Sequence, residues 1–327
     1  MKVALVGYGG IAAFHARALR QVDGVRLYTI IGRRGPPAEA FAAEWGFAGW
    51  GTELEPVLAD PAVDAVVVAS PSELHAVMAA ACLRAGKPVL VEIPVAMSGP
   101  GARALASLAR TTGVPLMAGH TLRFQSAQRF VREFLVSGRA GRIHQHQSYS
   151  FWLRHENVGW TGYRRSWVDD VVFHHGCHLV DFSLWCAASP VVRVQGELSP
   201  LDPRTGTSLD VSLLIRYASD AIATISLSYN ARQAAGGERF ICEGGVLELA
   251  GNTVRFGGEV VFTEEGAGGL EAGVLAQDRE FVEAVRQGRA PACGPAEAVE
   301  ALEVLQQVYD QAVARGDEER YRRRWEE

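Results

Sequence analysis

The chain has 327 residues, is 48 % hydrophobic and carries a formal net charge of −5 at pH 7. This length allows two domains with substantial cores, and the scattered basic residues argue against nucleic acid as a partner. Its five cysteines have no CxxC spacing, so we predict neither a disulfide framework nor a zinc ribbon. No apolar run reaches membrane-spanning length and no signal-peptide pattern is present, which favours a cytoplasmic protein without a membrane partner.

The first strand and helix enclose a glycine-rich turn. Val3–Val6 is a short apolar strand, and Ile11–Leu19 reads as a helix. Glycines between such elements permit a tight turn and let the backbone approach a pyrophosphate, while the helix N-terminus supplies N–H groups. A plain structural turn is the alternative. The favoured prediction is a dinucleotide site formed by Gly7, Tyr8, Gly9, Gly10, Ile11 and Ala12.

The second strand indicates which dinucleotide is bound. Val25–Ile31 is apolar and β-branched, and it ends in Gly32-Arg33-Arg34. NAD-binding units usually have an acidic residue here for the ribose 2′-hydroxyl, whereas two guanidiniums suit a 2′-phosphate. If the arginines are not simply solvated loop charges, they favour NADP over NAD, with NAD still possible.

Strands and helices continue to alternate as far as Ala118. The predicted strands at Ala65–Ala69, Pro88–Glu92 and Pro115–Ala118 are separated by helices at Glu73–Ala85 and Gly101–Thr111. This alternation predicts an α/β Rossmann domain with a parallel sheet over residues 1–121, and ligands bind at the carboxyl ends of such strands. Further coenzyme contacts are therefore expected at Ser70, Pro71, His75, Glu92, Ile93 and Pro94.

Residue 122 begins a different pattern. A helix at Ala127–Val136 precedes an alternating stretch at Ile143–Leu153, and helices at Gly273–Gln287 and Ala296–Ala314 come last. Runs of strands with short turns indicate an α+β domain with a largely antiparallel open sheet over residues 122–327. Its other predicted strands are Val191–Glu197, Ser208–Tyr217, Ala221–Tyr229, Arg239–Cys242 and Val246–Leu249.

The sharpest chemical cluster is a histidine-rich helix predicted at His174–Ala187. On a helix, His174 and His178 share a face, and Asp181 lies one turn beyond His178. An imidazole that titrates near neutrality can accept a proton from an alcohol, and a carboxylate can orient it. A zinc site or a purely structural cluster are the alternatives, but the flanking residues lack a recognised zinc-ligand spacing.

Three arginines are expected near the junction of the two domains. A guanidinium can bind a substrate carboxylate through two hydrogen bonds, which suggests a carboxylate-rich substrate. The alternative is that Arg123, Arg154 and Arg165 are scattered surface charges in an arginine-rich chain.

These motifs together resemble the Gfo/Idh/MocA oxidoreductases. The resemblance rests on the glycine turn, the strand that ends in Val91-Glu92-Ile93-Pro94, and the histidine helix, and it extends over nearly the whole chain. In that family the strand-end motif is usually Glu-Lys-Pro, and the helix carries Asp and His four residues apart. Here Ile93 replaces the lysine and His174 the aspartate, while the histidine is retained as His178.

The resemblance implies an enzyme that transfers hydride from a CH–OH group to NADP. Within the family, the combination is most similar to that of enzymes oxidising a carboxylated hemiacetal in aromatic catabolism. His178 is then the candidate base and His175 the second, with Asp181 beside them, and Arg123, Arg154, Arg165 and His174 contact the substrate. A homodimer or homotetramer is also expected. A sugar or cyclitol dehydrogenase and a non-catalytic NADP-binding regulator remain the alternatives.

Overall fold

The computed structural model describes residues 1–158, 167, 170–264 and 269–315, which divide into two compact units. The first unit is built from Met1–Thr121 and Glu271–Val299. The second consists mainly of Leu122–Asn157, residues 170–264 and residues 300–315. The chain thus first leaves the Rossmann unit after residue 121. The segment Glu271–Val299 also belongs to this unit, whereas the sequence pattern assigned it to the second domain.

The first unit contains a six-stranded, entirely parallel sheet in the order β3-β2-β1-β4-β5-β6, as its alternation predicted. Its strands are β1 (Lys2–Val6), β2 (Arg26–Ile31), β3 (Gly49–Gly51), β4 (Ala65–Val68), β5 (Val89–Val91) and β6 (Leu116–Ala118). Its connecting helices are α1 (Gly10–Leu19), α2 (Gly35–Trp45), α3 (Glu55–Ala59), α4 (His75–Arg84) and α5 (Gly99–Thr112). The short edge strand β3 was not predicted, because Gly49-Trp50-Gly51 lacks a β-branched run.

The strand order reverses at β1. This strand pairs with β2 on one side and β4 on the other, and Val3, Ala4 and Leu5 are fully buried. In open α/β sheets the ligand lies outside the carboxyl ends of the strands at such a switch point. The fold therefore places the turn after β1, with its glycines, where a dinucleotide is bound.

The late segment completes this first unit through helix α8 (Leu270–Gln287) and the loop after it. Thr121 donates a hydrogen bond from its hydroxyl to the side-chain oxygen of Gln277 at 2.9 Å. The main-chain N–H of Ala118, at the end of β6, donates to the carbonyl of Cys293, also at 2.9 Å. Residues far apart in sequence therefore hold the end of the Rossmann sheet.

The second unit contains an eight-stranded sheet in the order β14-β13-β12-β11-β7-β10-β9-β8. All neighbouring strands are antiparallel except β7 and β10, so the predicted sheet type is confirmed. The strands are β7 (Ile143–Leu153), β8 (Val191–Leu198), β9 (Asp210–Tyr217), β10 (Ile222–Ser228), β11 (Asn230–Cys242), β12 (Gly245–Ala250), β13 (Thr253–Phe256) and β14 (Glu259–Thr263). The last two strands were not predicted.

Helices cover one face of this sheet. Helix α6 (Ser126–Val136) and helix α7 (Gly176–Ala187) pack through Phe134 and Phe182 against Phe240 and Leu247 of the sheet, in one buried cluster. Helix α9 (Pro295–Ala314) also approaches α7 closely, because a Cβ added at Gly176 would lie 3.0 Å from Leu305. None of the helices in the described ranges is long and apolar enough to cross a bilayer.

Candidate active site

The turn after β1 has the shape that a dinucleotide phosphate requires. Gly7 has φ +109°, and a Cβ there would lie 2.2 Å from the carbonyl oxygen of Ala69, so only glycine fits. Within the described part of the chain, nothing lies within 4 Å of a Cβ built on Gly9. Helix α1 begins at Gly10, and none of the described side chains caps it. The N–H groups of its first turn and the open side of Gly9 therefore fit a pyrophosphate.

The end of β2 carries the two arginines. Arg33 and Arg34 are both exposed, and Gly32 separates them from Ile31, which is 5 % exposed. Helix α2 starts at Gly35 and has prolines in its first turn. Proline has no N–H, so this helix terminus offers few backbone donors and the positive charge at this position comes from the guanidiniums.

His75 connects the ends of β4 and β5. Its Nδ1 lies 2.9 Å from the carbonyl oxygen of Pro94, and its Nε2 lies 2.8 Å from the carbonyl oxygen of Ser70. Both ring nitrogens thus face main-chain oxygens of the two predicted coenzyme-contacting segments. Next to them, Ile93 is 2 % exposed and apolar where the family pattern has a lysine. The His75 ring therefore bridges the main chain of these two segments.

Glu92 belongs to a buried charged triad. His15 on α1 is fully buried, with Nε2 2.9 Å from Glu92 Oε1 and Nδ1 2.9 Å from Asp278 of α8. Burial alone lowers the pKa of His15, but the two carboxylates outweigh it and raise the pKa to about 10. The imidazole is therefore a permanent cation at neutral pH, and it ties the end of β5 to α8.

The histidine cluster lies in the second unit, where a π-helix is followed by an α-helix. A π-helix runs over Val171–His175, and Asp170 caps it by accepting a hydrogen bond from the N–H of Phe173 at 2.6 Å. Helix α7 follows directly. The rings of His174 and His178 lie 6.3 Å apart, and those of His175 and His178 lie 6.4 Å apart. All three half-buried imidazoles are thus brought together, as the spacing predicted.

His175 lies between a cation and a phenol. Its Nδ1 contacts the hydroxyl of Tyr229 and lies 3.4 Å from Nη1 of Arg154. The same Nη1 donates to the Tyr229 hydroxyl at 3.2 Å, and Arg154 Nη2 donates to Asn157. The Tyr229 hydroxyl also donates to the carbonyl oxygen of Asp170 at 3.2 Å. These contacts hold the His175 ring through its Nδ1, and His178 stays the first candidate base with His175 the second.

Asp181 forms an ion pair that the sequence did not predict. Its Oδ1 accepts a hydrogen bond from Arg123 Nη2 at 2.7 Å, and its Oδ2 accepts one from Arg123 Nε at 2.9 Å. The two side chains are 1 % and 9 % exposed, respectively. This bidentate ion pair uses an edge of the guanidinium that a substrate carboxylate would need, and it directs the Asp181 carboxylate towards Arg123. Sequence spacing along one helix could not reveal a partner 58 residues away.

Arg154 differs from Arg123 in this respect. Among the described residues Arg154 forms no ion pair, and its guanidinium lies 5.3 Å from the ring centre of Tyr229. The predicted arginine set thus separates into one internal ion-pair partner and one available cation, while Arg165 lies outside the described residues.

Tyr229, Asn157 and His15 were missed as candidates. Tyr229 ends a predicted strand and is fully buried, so its hydroxyl requires partners, and this is a usable signal. His15 is a polar residue on the apolar face of α1, next to Ala12 and Ala16. No group of three or more His, Cys, Asp or Glu side chains in the described ranges could hold a metal ion.

Comparison with known proteins agrees with this architecture. Residues 1–120 match the model of the oxidoreductase family with an NAD-binding Rossmann fold, and residues 126–254 match bacterial oxidoreductases, C-terminal. The fold and site thus define an NAD(P)-dependent oxidoreductase acting on CH–OH groups. The chain belongs to the Gfo/Idh/MocA family.

Individual relatives cover most of the chain. It is 34 % identical to 4-carboxy-2-hydroxymuconate-6-semialdehyde dehydrogenase from Sphingobium sp., over 93 % of this chain and 96 % of that protein. It is 27 % identical to inositol 2-dehydrogenase from Rubrobacter xylanophilus, over 90 % of this chain and 85 % of that protein. The solved structure of levoglucosan dehydrogenase in complex with NADH is similar in fold, with a TM-score of 0.85 at 17 % identity over 96 % and 97 % of the two chains.

Proposed function

We propose that this protein is an NADP-dependent dehydrogenase of a carboxylated hemiacetal, formed when a semialdehyde such as 4-carboxy-2-hydroxymuconate-6-semialdehyde closes on itself. The observation that carries the proposal is the available Arg154 guanidinium, held by Asn157 and Tyr229 beside His175. The similarity to 4-carboxy-2-hydroxymuconate-6-semialdehyde dehydrogenase, 34 % identical over 93 % of this chain, supports the same substrate class.

The first unit supplies the coenzyme-binding residues. The open side of Gly9 and the N-terminus of α1 receive the pyrophosphate, and the exposed Arg33 and Arg34 bind the 2′-phosphate. Bound at these residues, NADP⁺ would supply the hydride acceptor for oxidation of the hemiacetal carbon. The buried Ile93 contributes an apolar surface at the end of β5.

The second unit supplies the acid–base and anchoring residues. His178 takes the proton of the hemiacetal hydroxyl as the carbon gives up its hydride, and the product is a lactone. A hemiacetal hydroxyl is more acidic than that of an ordinary alcohol, so a neutral imidazole can act without a neighbouring lysine. His175, the second candidate base, lies beside Arg154, and Arg154 binds a substrate carboxylate.

A substrate panel tests the proposal. The purified protein is assayed with NADP⁺ and equal concentrations of a carboxylated semialdehyde, an uncharged semialdehyde and myo-inositol, following absorbance of the reduced coenzyme. We expect turnover mainly of the carboxylated compound. Oxidation of myo-inositol alone would instead establish a cyclitol dehydrogenase, and bound coenzyme without turnover of any compound would establish a regulator.

We also propose that the second unit forms a homo-oligomer through the uncovered face of its sheet. Tyr149 and Leu153 of β7 are 40 % and 50 % exposed, and the Tyr149 and Phe151 rings on this face lie 5.3 Å apart. Exposed apolar side chains grouped in this way mark contact surfaces. Sedimentation should show a dimer or tetramer, and Tyr149→Lys should dissociate it; a monomeric unmodified protein contradicts the proposal.

A further inference from the structure

The ring of Tyr8 lies directly against the backbone of Gly32. A Cβ added at Gly32 would lie 2.2 Å from both Cδ1 and Cε1 of Tyr8, and 3.2 Å from the Cβ of Ala38. Distances below 3 Å between such atoms are not tolerated, so any side chain at residue 32 requires the ring to move. Tyr8 and a side chain at residue 32 therefore exclude each other.

Main-chain hydrogen bonds fix both partners of this contact. The N–H of Gly7 donates to the carbonyl of Ile31 at 2.8 Å, which joins the turn that carries Tyr8 to the end of β2. The N–H of Gly32 donates to the carbonyl of Gly51 at 3.0 Å, which joins the end of β2 to β3. Since the backbone is held on both sides, a clash between Tyr8 and a side chain at residue 32 has to be relieved by movement of the Tyr8 side chain.

Residue 32 has a special place in a dinucleotide-binding unit. It directly follows β2, where an acidic side chain in NAD-binding units accepts a hydrogen bond from the ribose 2′-hydroxyl. Such a carboxylate would repel a 2′-phosphate. In this chain the position has no side chain, the Tyr8 ring fills the space, and two exposed arginines follow at once.

We propose that Tyr8 is a specificity-determining residue for the coenzyme, because its ring occupies the space of a side chain at residue 32, where NAD-binding units carry their acidic residue. The inference rests on the proposed binding of NADP. It adds a steric determinant to the electrostatic one: Arg33 and Arg34 attract the phosphate, and Tyr8 prevents the arrangement that selects NAD. Tyr8 and residue 32 are then coupled.

A double-variant cycle measures this coupling. Dissociation constants for NADPH and NADH are obtained by fluorescence titration for the unmodified protein, Gly32→Asp, Tyr8→Ala and Tyr8→Ala/Gly32→Asp. We expect Gly32→Asp to weaken NADH binding at least tenfold, because the displaced ring obstructs the ribose site. The double variant should bind NADH at least tenfold more tightly than Gly32→Asp does, without a comparable gain for NADPH.

Two controls separate the ring from its hydroxyl and from general disturbance. Tyr8→Phe/Gly32→Asp keeps the ring and should not recover NADH binding. Gly49→Asp places the same side chain on β3, where the one atom of the described residues within 4 Å of a Cβ is the Thr29 hydroxyl oxygen at 3.9 Å. This variant should not show coupling to Tyr8→Ala. Thermal denaturation verifies that each variant is folded.

The decisive outcomes are distinct. Equal NADH affinity in Gly32→Asp and in the double variant overturns the inference. If Gly32→Asp alone does not fold, the double variant is compared with Tyr8→Ala. A shift of the affinity ratio towards NADH that is smaller than tenfold then overturns the inference. An unmodified protein without any NADPH preference refutes the proposed NADP specificity, whereas the coupling between residues 8 and 32 is decided separately by the cycle.

Discussion

The two units contain histidines in opposite electrostatic surroundings. His15 lies between the carboxylates of Glu92 and Asp278, is fully buried and keeps its proton, with a pKa of about 10. His175 lies beside the Arg154 guanidinium and the Tyr229 hydroxyl. Carboxylate neighbours thus stabilise the cationic form of His15, whereas the contacts of His175 include a cation and a phenol. The charge of the neighbouring groups, rather than burial alone, distinguishes the two environments.

The largest effect is expected from removal of the buried cation. His15→Ala leaves two carboxylates without their shared partner, and breaking a buried ion pair in this way costs about 3–5 kcal/mol of unfolding free energy. Chemical denaturation measures the loss. His144→Ala, at an exposed position on β7, serves as the control and should change stability little. Equal stability of the two variants would contradict a structural role for the triad.

Next in size is the effect on turnover. His178→Asn removes the proposed base and should lower kcat by roughly 10²-fold or more, with little change in coenzyme affinity. Steady-state kinetics and coenzyme titration measure the two quantities, and His144→Asn is the matched control. Full turnover in a folded His178→Asn protein would transfer the role of base to His175.

A dependence of stability on pH should follow from the raised pKa of His15. Below pH 6.5 the imidazole is protonated in both folded and unfolded chains, so its stabilisation is fully present. As pH rises from 6.5 towards 10, only the unfolded chain releases the proton, and the stabilisation is progressively lost. The stability difference between the unmodified protein and His15→Ala should therefore shrink, on the order of 2 kcal/mol between pH 7 and 9. A constant difference would show that His15 is not charged in the fold.

The two described arginines of the second unit should behave differently. Arg154→Ala should raise KM for a carboxylated semialdehyde by roughly 10- to 100-fold, because the substrate loses its cationic partner. Arg123→Ala should chiefly reduce stability, since it leaves Asp181 buried without its bidentate partner. Arg193→Ala, at an exposed position on β8, controls for loss of positive charge. A larger KM effect for Arg123→Ala than for Arg154→Ala would reverse the assignment.

The smallest effect concerns the coenzyme. NADPH should bind at least tenfold more tightly than NADH, equivalent to about 1.4 kcal/mol, and Arg33→Ala/Arg34→Ala should remove most of this preference. Both arginines are exposed, so the charges are partly screened and the effect should weaken as salt increases. A preference that persists in the double variant would assign it to residues other than these two.

Local patterns in the sequence predicted most of the fold. The buried strands Val3–Val6 and Ala65–Ala69 and the alternating stretch Ile143–Leu153 all form strands, because apolar periodicity expresses which face of each element is buried. The strands β3, β13 and β14 were missed, since they are short and lie at a sheet edge or next to one, where burial imposes little pattern. The glycine turn was also predictable, because the steric requirement at Gly7 acts within a few residues of the strand it follows.

Local sequence patterns specify the two sheet types, the phosphate-binding turn, the arginines after β2 and the grouping of three histidines on one helical segment. Each of these features depends on residues close together in the chain. Other features emerge only in the folded chain: Asp181 pairs with Arg123, Arg154 lies beside His175 and Tyr229, and Asp278 contacts His15 across 263 residues. The pairing of charged groups depends on distance in space and on desolvation, and neither quantity is expressed in the periodicity of a single element.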